Sequence, residues 1–200
     1  MHRFSKRIFD LLASSIGLSL LLPFFLILSV AIKLSMPGDI FFRQSRMGKN
    51  GVPFRLFKFR TMKSIQKAPE GRFNPGDRTR VTKLGSFLRK YKLDELPQLI
   101  NVLIGDMSIV GPRPEIREWT EVYPSEWKII LSVKPGITDN ASIAYRDEEE
   151  ILSKADDPHE IYRNLILPRK LALYISYVQN NNLLKDIGII FRTLITVIYK

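Results

Sequence analysis

The chain contains no cysteine among its 200 residues. Disulfides and thiolate metal sites are thereby excluded, and a reducing compartment fits. Histidine is nearly absent as well: only His2 and His159 occur, which argues against a multi-histidine metal centre. Acidic residues are the minority charge. Asp and Glu number 20 against 31 Lys and Arg, a formal net charge of +11. Such a surplus favours an anionic partner (nucleic acid, anionic lipid or a phosphorylated substrate) without choosing among them. Repeats and low-complexity tracts are missing too. With 45 % hydrophobic and 26 % charged residues, the composition is that of a folded chain, long enough for one domain with a real core.

Charge is also absent from Leu11 to Ile32. As a helix this stretch is long enough to cross a bilayer. A secretory signal fits poorly, because the apolar run is too long and no small-residue cleavage site follows. A simple span is opposed by two features. Pro23 lies near the middle, where it removes a backbone hydrogen bond and kinks a helix. Arg3, Lys6 and Arg7 precede the run, and Lys33, Arg43 and Arg46 follow it, so both flanks prefer the cytoplasm. A segment that enters, bends at Pro23 and returns satisfies both. Each arm would be about 16 Å long, roughly half the hydrocarbon thickness. A break at that depth frees a carbonyl, and Ser19 is the candidate donor to it. Asp10 lies at i+3 from Arg7, and the two can pair.

Aromatic and basic residues interleave from Phe41 to Arg60. The sequence predicts two short strands around a turn at Gly48-Lys49-Asn50-Gly51. No RNP-type motif accompanies them, so nucleic acid is not an expected partner. Residues 63–80 read as a polar loop. A short helix is expected from Lys83 to Tyr91, and Arg89 falls five residues before Asp94. Asp94 and Glu95 stand side by side in K-L-D-E-L-P-Q, with Asp94 as an expected N-cap for a helix over residues 95–103. Capping alone would explain such a pair. Its neighbourhood suggests more. Arg113 lies between Pro112 and Pro114, on backbone stiffened from both sides, and an arginine so held can bind phosphate bidentately. Asp106 and Glu115 add acidic oxygens. Hard oxygen ligands beside phosphates suit Mg²⁺, so Arg89, Asp94, Glu95 and Arg113 would converge on a metal–pyrophosphate group.

These stretches together resemble the bacterial sugar transferase family, the monotopic phosphoglycosyl transferases. The resemblance rests on Lys6-Arg7-Ile8-Phe9-Asp10, F-x-Q-x-R-x-G-x-x-G from Phe42 to Gly51, and K-F-R-T-M at 58–62. It continues with L-D-E-L-P-Q at 93–98, N-V-L-I-G-D-M-S-I-V-G-P-R-P-E at 101–115 and K-P-G-I-T at 134–138. It implies transfer of a phospho-sugar from a UDP-sugar to polyprenyl (undecaprenyl) phosphate with release of UMP. Carried over by position, it implies that Asp94 is the nucleophile of a covalent phospho-sugar intermediate and that Glu95 binds Mg²⁺. Arg89 and Arg113 would sit around the phosphates, with Lys58 as a further phosphate neighbour. The family's membrane helix breaks at a Ser-Pro pair. Here Pro23 matches, but Leu22 replaces the serine, and Ser19 is the substitute. After Thr138 the chain departs from the family's A-Q-V-x-G-R segment, and Tyr145 and Arg146 are the candidates for the missing arginine's role. Asp147 to Glu150 also reads as no more than an acidic first turn.

The fold expected is α/β in class, mostly α and irregular. It has an N-terminal re-entrant helix-break-helix over residues 1–35, a small β ribbon and amphipathic interfacial helices. Residues 36–200 form the catalytic domain. It ends in a basic amphipathic helix over 183–200, suited either to a membrane interface or to the domain core. A helix is also expected over 160–180. The expected location is the cytoplasmic face of a bacterial inner membrane. Expected partners are a UDP-sugar, polyprenyl phosphate and anionic membrane lipid, and a homodimer stays open. The rival reading is a non-catalytic, membrane-anchored basic protein that binds anionic lipid or nucleic acid. It leaves the acidic pair and the rigid Arg113 unexplained.

Overall fold

The computed structural model describes residues 2–63 and 80–199. All but Lys63 and Arg80 of the segment read as a polar loop lies outside the described residues. Helix α1 (His2–Ser35) leads into an antiparallel ribbon, β1 (Phe41–Met47) and β2 (Pro53–Phe59). Next come α2 (Lys83–Lys90), α3 (Gln98–Ile104), β3 (Ser108–Val110), α4 (Arg117–Val122), α5 (Pro124–Ile130) and β4 (Gly136–Thr138). The chain closes with α6 (Asn140–Ala144), α7 (Glu148–Ser153), α8 (Pro158–Ile161), α9 (Leu167–Asn180) and α10 (Leu183–Ile198). The class is therefore mostly helical with little sheet. The ribbon, α2 and α10 fall where sequence patterning puts them. The α2 boundary has a local cause: the Thr82 hydroxyl accepts from Gly85 N at 2.9 Å, capping the first turn. Asn182 caps α10 in the same way.

Helix α1 departs from expectation. It runs unbroken through Pro23, where a helix-break-helix was expected. Its inner face explains the continuity. Leu18, Leu21, Phe24, Phe25 and Leu28 pack with Phe59 and Leu88 in one core cluster, so residues on both sides of Pro23 are held against the domain. Pro23 itself faces outward, as does Ser19, whose hydroxyl makes no hydrogen bond among the described residues. The helix is long and apolar enough to cross a membrane, yet it is tied to the domain at both ends. Near its start, Arg7 donates to the Val102 and Leu103 carbonyls at 2.7 and 3.0 Å. Asp10 is buried and accepts from Ser108 Oγ and Ile109 N, each at 3.0 Å, so it anchors β3 and does not pair with Arg7. Lys6 reaches Asp186 on α10 at 2.5 Å. At the far end Arg60 donates to the Met36 and Pro37 carbonyls at 2.8 Å. The outer face, from Phe4 and Ile8 through Leu12, Ile16 and Leu20 to Leu34, is exposed and apolar. Helix α10 serves both readings of it at once: Asp186 and Ile189 are buried against the domain, while Leu184, Phe191 and Ile198 are exposed.

Two short parallel strands, β3 and β4, had no signature in the sequence. They set the position of the G-P-R-P turn. Gly111 N donates to Thr138 O at 3.1 Å and Gly136 N to Pro112 O at 2.9 Å. The backbones meet so closely that a Cβ on Gly136 would lie 2.0 Å from Gly111 N. Backbone cannot yield as a side chain does. Gly136→Ala is therefore expected to destabilise by about 3 kcal/mol. Thermal unfolding should show Tm lower by roughly 6–12 °C for a chain of this size.

Candidate active site

Four elements converge on the acidic pair. Helix α2 ends at Lys90, and Lys92 turns the chain with a left-handed backbone (φ 54°). Leu93–Glu95 then form a single 3₁₀ turn ahead of α3. Asp94 is thus not the N-cap expected: Pro97 holds that position before α3 and makes no side-chain cap. The Asp94 carboxylate is spared a structural duty. It is buried, and its Oδ1 has no hydrogen-bond partner among the described residues. Burial raises its pKa above the ordinary value of 3.8, opposed by Lys58 and reinforced by Glu95.

Glu95 lives in the opposite state. Lys58, on β2, donates to its Oε1 at 2.8 Å. Arg113 grips it with two nitrogens, Nη1 to Oε2 at 3.2 Å and Nη2 to Oε1. Burial alone would raise the Glu95 pKa, but Arg113, Lys58 and Lys92 together hold it well below the carboxylate range. Arg113 is held cationic in return, chiefly by Glu95. Lys58 is pushed down by burial and partly restored by Glu95. Two adjacent buried carboxylates are therefore divided: Glu95 is clamped by cations with its pKa held well below the ordinary value, and Asp94 is unclamped with its pKa raised.

Arg89 flanks the pair, its Nε on Thr61 Oγ1 at 3.0 Å and its Nη1 on Glu149 at 2.8 Å. The departing segment 139–152 thus does reach the site, through Glu149. Arg146 does not join it: its side chain is exposed and pairs with neighbouring Asp147 at 3.2 Å. Asp106 is engaged with Asn101, away from the acidic pair. Glu115 lies behind Arg113, bonded to Arg46 at 3.1 Å and to Tyr162 Oη at 2.7 Å, with Lys170 at 3.8 Å. Burial raises the Glu115 pKa, but Lys170, Arg46, the Tyr162 hydrogen bond and Arg113 together hold it below the ordinary value. Lys170 also holds Glu148 at 2.9 Å. This backing network went unread in the sequence. A lysine inside the apolar face of Leu167, Leu171 and Tyr174 was its one visible trace. Gln98 was quoted in its motif but given no role. It is 1 % exposed, and its Nε2 has no partner among the described residues.

Among the described residues no group of three or more His, Cys, Asp and Glu side chains forms a ready metal cage. Glu95 nonetheless fits Mg²⁺ in kind, being a fully ionised hard-oxygen donor beside a cationic cluster, and that ion is commonly held by one or two carboxylates plus substrate oxygens and water.

Lys58, Arg89, Lys92 and Arg113 around two carboxylates leave a cationic surplus, suited to a phosphate-bearing anion, next to a helix with an exposed apolar face. The chain belongs to the bacterial sugar transferase family, which matches residues 1–200. It is 35 % identical over 207 residues to the exopolysaccharide production protein ExoY of Rhizobium meliloti, covering 95 % of this chain and 84 % of that one. It is 34 % identical over 204 residues to the UDP-N-acetylgalactosamine-undecaprenyl-phosphate N-acetylgalactosaminephosphotransferase of Aeromonas hydrophila, covering 99 % and 44 %. It is 36 % identical over 197 residues to the UDP-glucose:undecaprenyl-phosphate glucose-1-phosphate transferase of Escherichia coli, covering 96 % and 40 %. The chain thus spans less than half the length of the latter two. Those two act on different sugars at nearly equal identity, so similarity does not select a sugar.

Proposed function

We propose that this chain transfers a phospho-sugar from a UDP-sugar to polyprenyl phosphate in two displacements through Asp94. Asp94 Oδ1 attacks the sugar-linked phosphorus, and the bond from that phosphorus to the bridging oxygen breaks. UMP leaves with the electron pair. A phosphate oxygen of the polyprenyl acceptor then attacks the same phosphorus and returns the carboxylate. No proton needs to move in either step. The observation that carries this reading is the division of the acidic pair, with Oδ1 of Asp94 buried and unpartnered beside a clamped Glu95. Burial raises the basicity of the attacking oxygen, and a carboxylate nucleophile splits one hard displacement into two. Arg113, Lys58 and Arg89 supply positive charge for the phosphoryl oxygens. Glu95 is the residue that would hold Mg²⁺, which neutralises diphosphate charge when bound.

The lipid acceptor requires a site at a membrane. Both ends of α1 are bonded to one domain, which supports attachment from one face, the cytoplasmic one, through the outer faces of α1 and α10. The +11 charge suits anionic headgroups there. The test is UMP release by purified protein in nanodiscs, with Mg²⁺, polyprenyl phosphate and a panel of UDP-sugars. Release with one sugar, and a radiolabelled phospho-sugar trapped on the protein when acceptor is withheld, is the expected result. Release without any trapped label under single-turnover conditions would point to direct transfer and sink the covalent step.

A further inference from the structure

Gln98 follows Asp94 by one helical turn. Leu96 N bonds to Leu93 O at 3.3 Å and Leu99 N to Leu96 O at 3.0 Å, and Leu96 and Pro97 both have right-handed helical backbone. Asp94 and Gln98 are thus about one turn apart, and both side chains are buried. Helix α3 packs on β2. Asn101, further along it, accepts from Phe57 N at 3.0 Å and donates to Arg55 O at 2.8 Å. The packing can thus satisfy a buried amide, and does so for Asn101. It does not do so for Gln98, whose Nε2 is buried without a partner, as is Asp94 Oδ1. A buried unpaired amide is destabilising, and native proteins keep few of them. An orphaned donor and an orphaned acceptor one turn apart call for a third group that accepts from one and bonds to the other.

We propose that Gln98 is a further substrate-binding residue, its amide N–H₂ donating to a non-bridging oxygen of the phosphoryl group that Asp94 takes up. The proposal rests on the two-displacement reading above. Its chemistry is specific. A phosphoryl group on Asp94 presents acceptors only, so it needs donors. Lys58, Arg113 and Arg89 supply charge, but each also spends donors on Glu95 or on Thr61 and Glu149, which leaves room for a further donor. A neutral amide can hold a phosphoryl oxygen without neutralising the attacking carboxylate, which a cation at the same place would do.

The test compares the full chain with Gln98→Met and Gln98→Leu, which keep the volume close and remove the donor. Parent and Asp94→Asn serve as controls. UMP release by the parent, absent in Asp94→Asn, establishes the reading on which the proposal stands. Both Gln98 variants should then lose about 10²-fold in kcat, with KM for the donor sugar within about threefold and Tm equal to or above the parent's. The last readout separates the roles, because a structural glutamine would be missed by the fold and an orphaned one would not. Unchanged kcat in both variants overturns the proposal. So does a Tm lower by several degrees in both, or failure of both to fold, since the amide would then be holding the structure. A parent silent with every donor overturns the underlying reading and this proposal with it.

Discussion

Asp94→Asn is expected to eliminate UMP release, by at least about 10³-fold, while leaving Tm equal to or above that of the parent. On the proposed two-displacement reading, the activity loss follows from removing the attacking oxygen. The stability effect follows from sign. Asp94 has a folded-state pKa raised by burial above 3.8. A raised pKa means that the ionised form is less welcome in the folded chain than in the unfolded one. Its contribution to stability is present below the unfolded pKa and lost as pH rises through the folded value. At neutral pH the charge therefore opposes folding, and a neutral amide relieves that opposition. A scan of Tm beside the transfer assay checks both halves. Inactivity with a lowered Tm would instead mark Asp94 as a structural carboxylate. The same raised pKa sets the acid limb of kcat/KM: activity should fall through one ionisation above 3.8, because the protonated acid cannot attack.

Glu95→Gln should show the reverse on stability. Glu95 is clamped by Lys58 and Arg113, all three of them largely buried. Removing the carboxylate leaves two cations facing an amide, a loss of about 3–5 kcal/mol for breaking a buried pair from one side. Transfer should fall on the order of 10²-fold or more, because Arg113 and Lys58 lose the group that aims them. A depressed pKa gives stability that is present above the unfolded pKa, near 4.5, and lost only as pH falls through the folded value well below it. The parent should therefore lose this contribution only in strong acid, and Glu95→Gln should lack that part of its acid unfolding. Removal of Glu95 also takes away one cause of the raised Asp94 pKa. The acid limb of activity should accordingly move to lower pH in Glu95→Gln, a shift readable in whatever activity remains.

Much of the site was legible because its residues cluster along the chain. Asp94 and Glu95 are adjacent, Arg89 lies a few residues earlier, and Pro112 and Pro114 announce a stiff Arg113. The ribbon and the capped helices α2 and α10 were legible for a similar reason: alternation, turn glycines and cap residues act within a few positions. Arg146 pairs with neighbouring Asp147, and the contact of that segment with Arg89 is made by Glu149, which a motif gap alone does not indicate. Lys170, Tyr162 and Glu148 back Arg113 through contacts between residues far apart in the chain, which periodicity does not register.

The N-terminal helix separates the two kinds of information most clearly. The sequence by itself determined that residues 11–32 are uncharged, interrupted by Pro23 and flanked by cations. A proline's effect on an isolated helix is local, and from it a break was the natural expectation. The tertiary structure keeps one helix from His2 to Ser35, because residues on both sides of Pro23 pack into one core cluster of the domain. The acidic pair obeys the same rule. Sequence sets two carboxylates next to each other, and free Asp and Glu carboxyls have the same intrinsic chemistry to within about one pKa unit. Only the hydrogen bonds of Lys58 from β2 and Arg113 from the β3–β4 side, made to Glu95 and not to Asp94, set the two carboxylates apart.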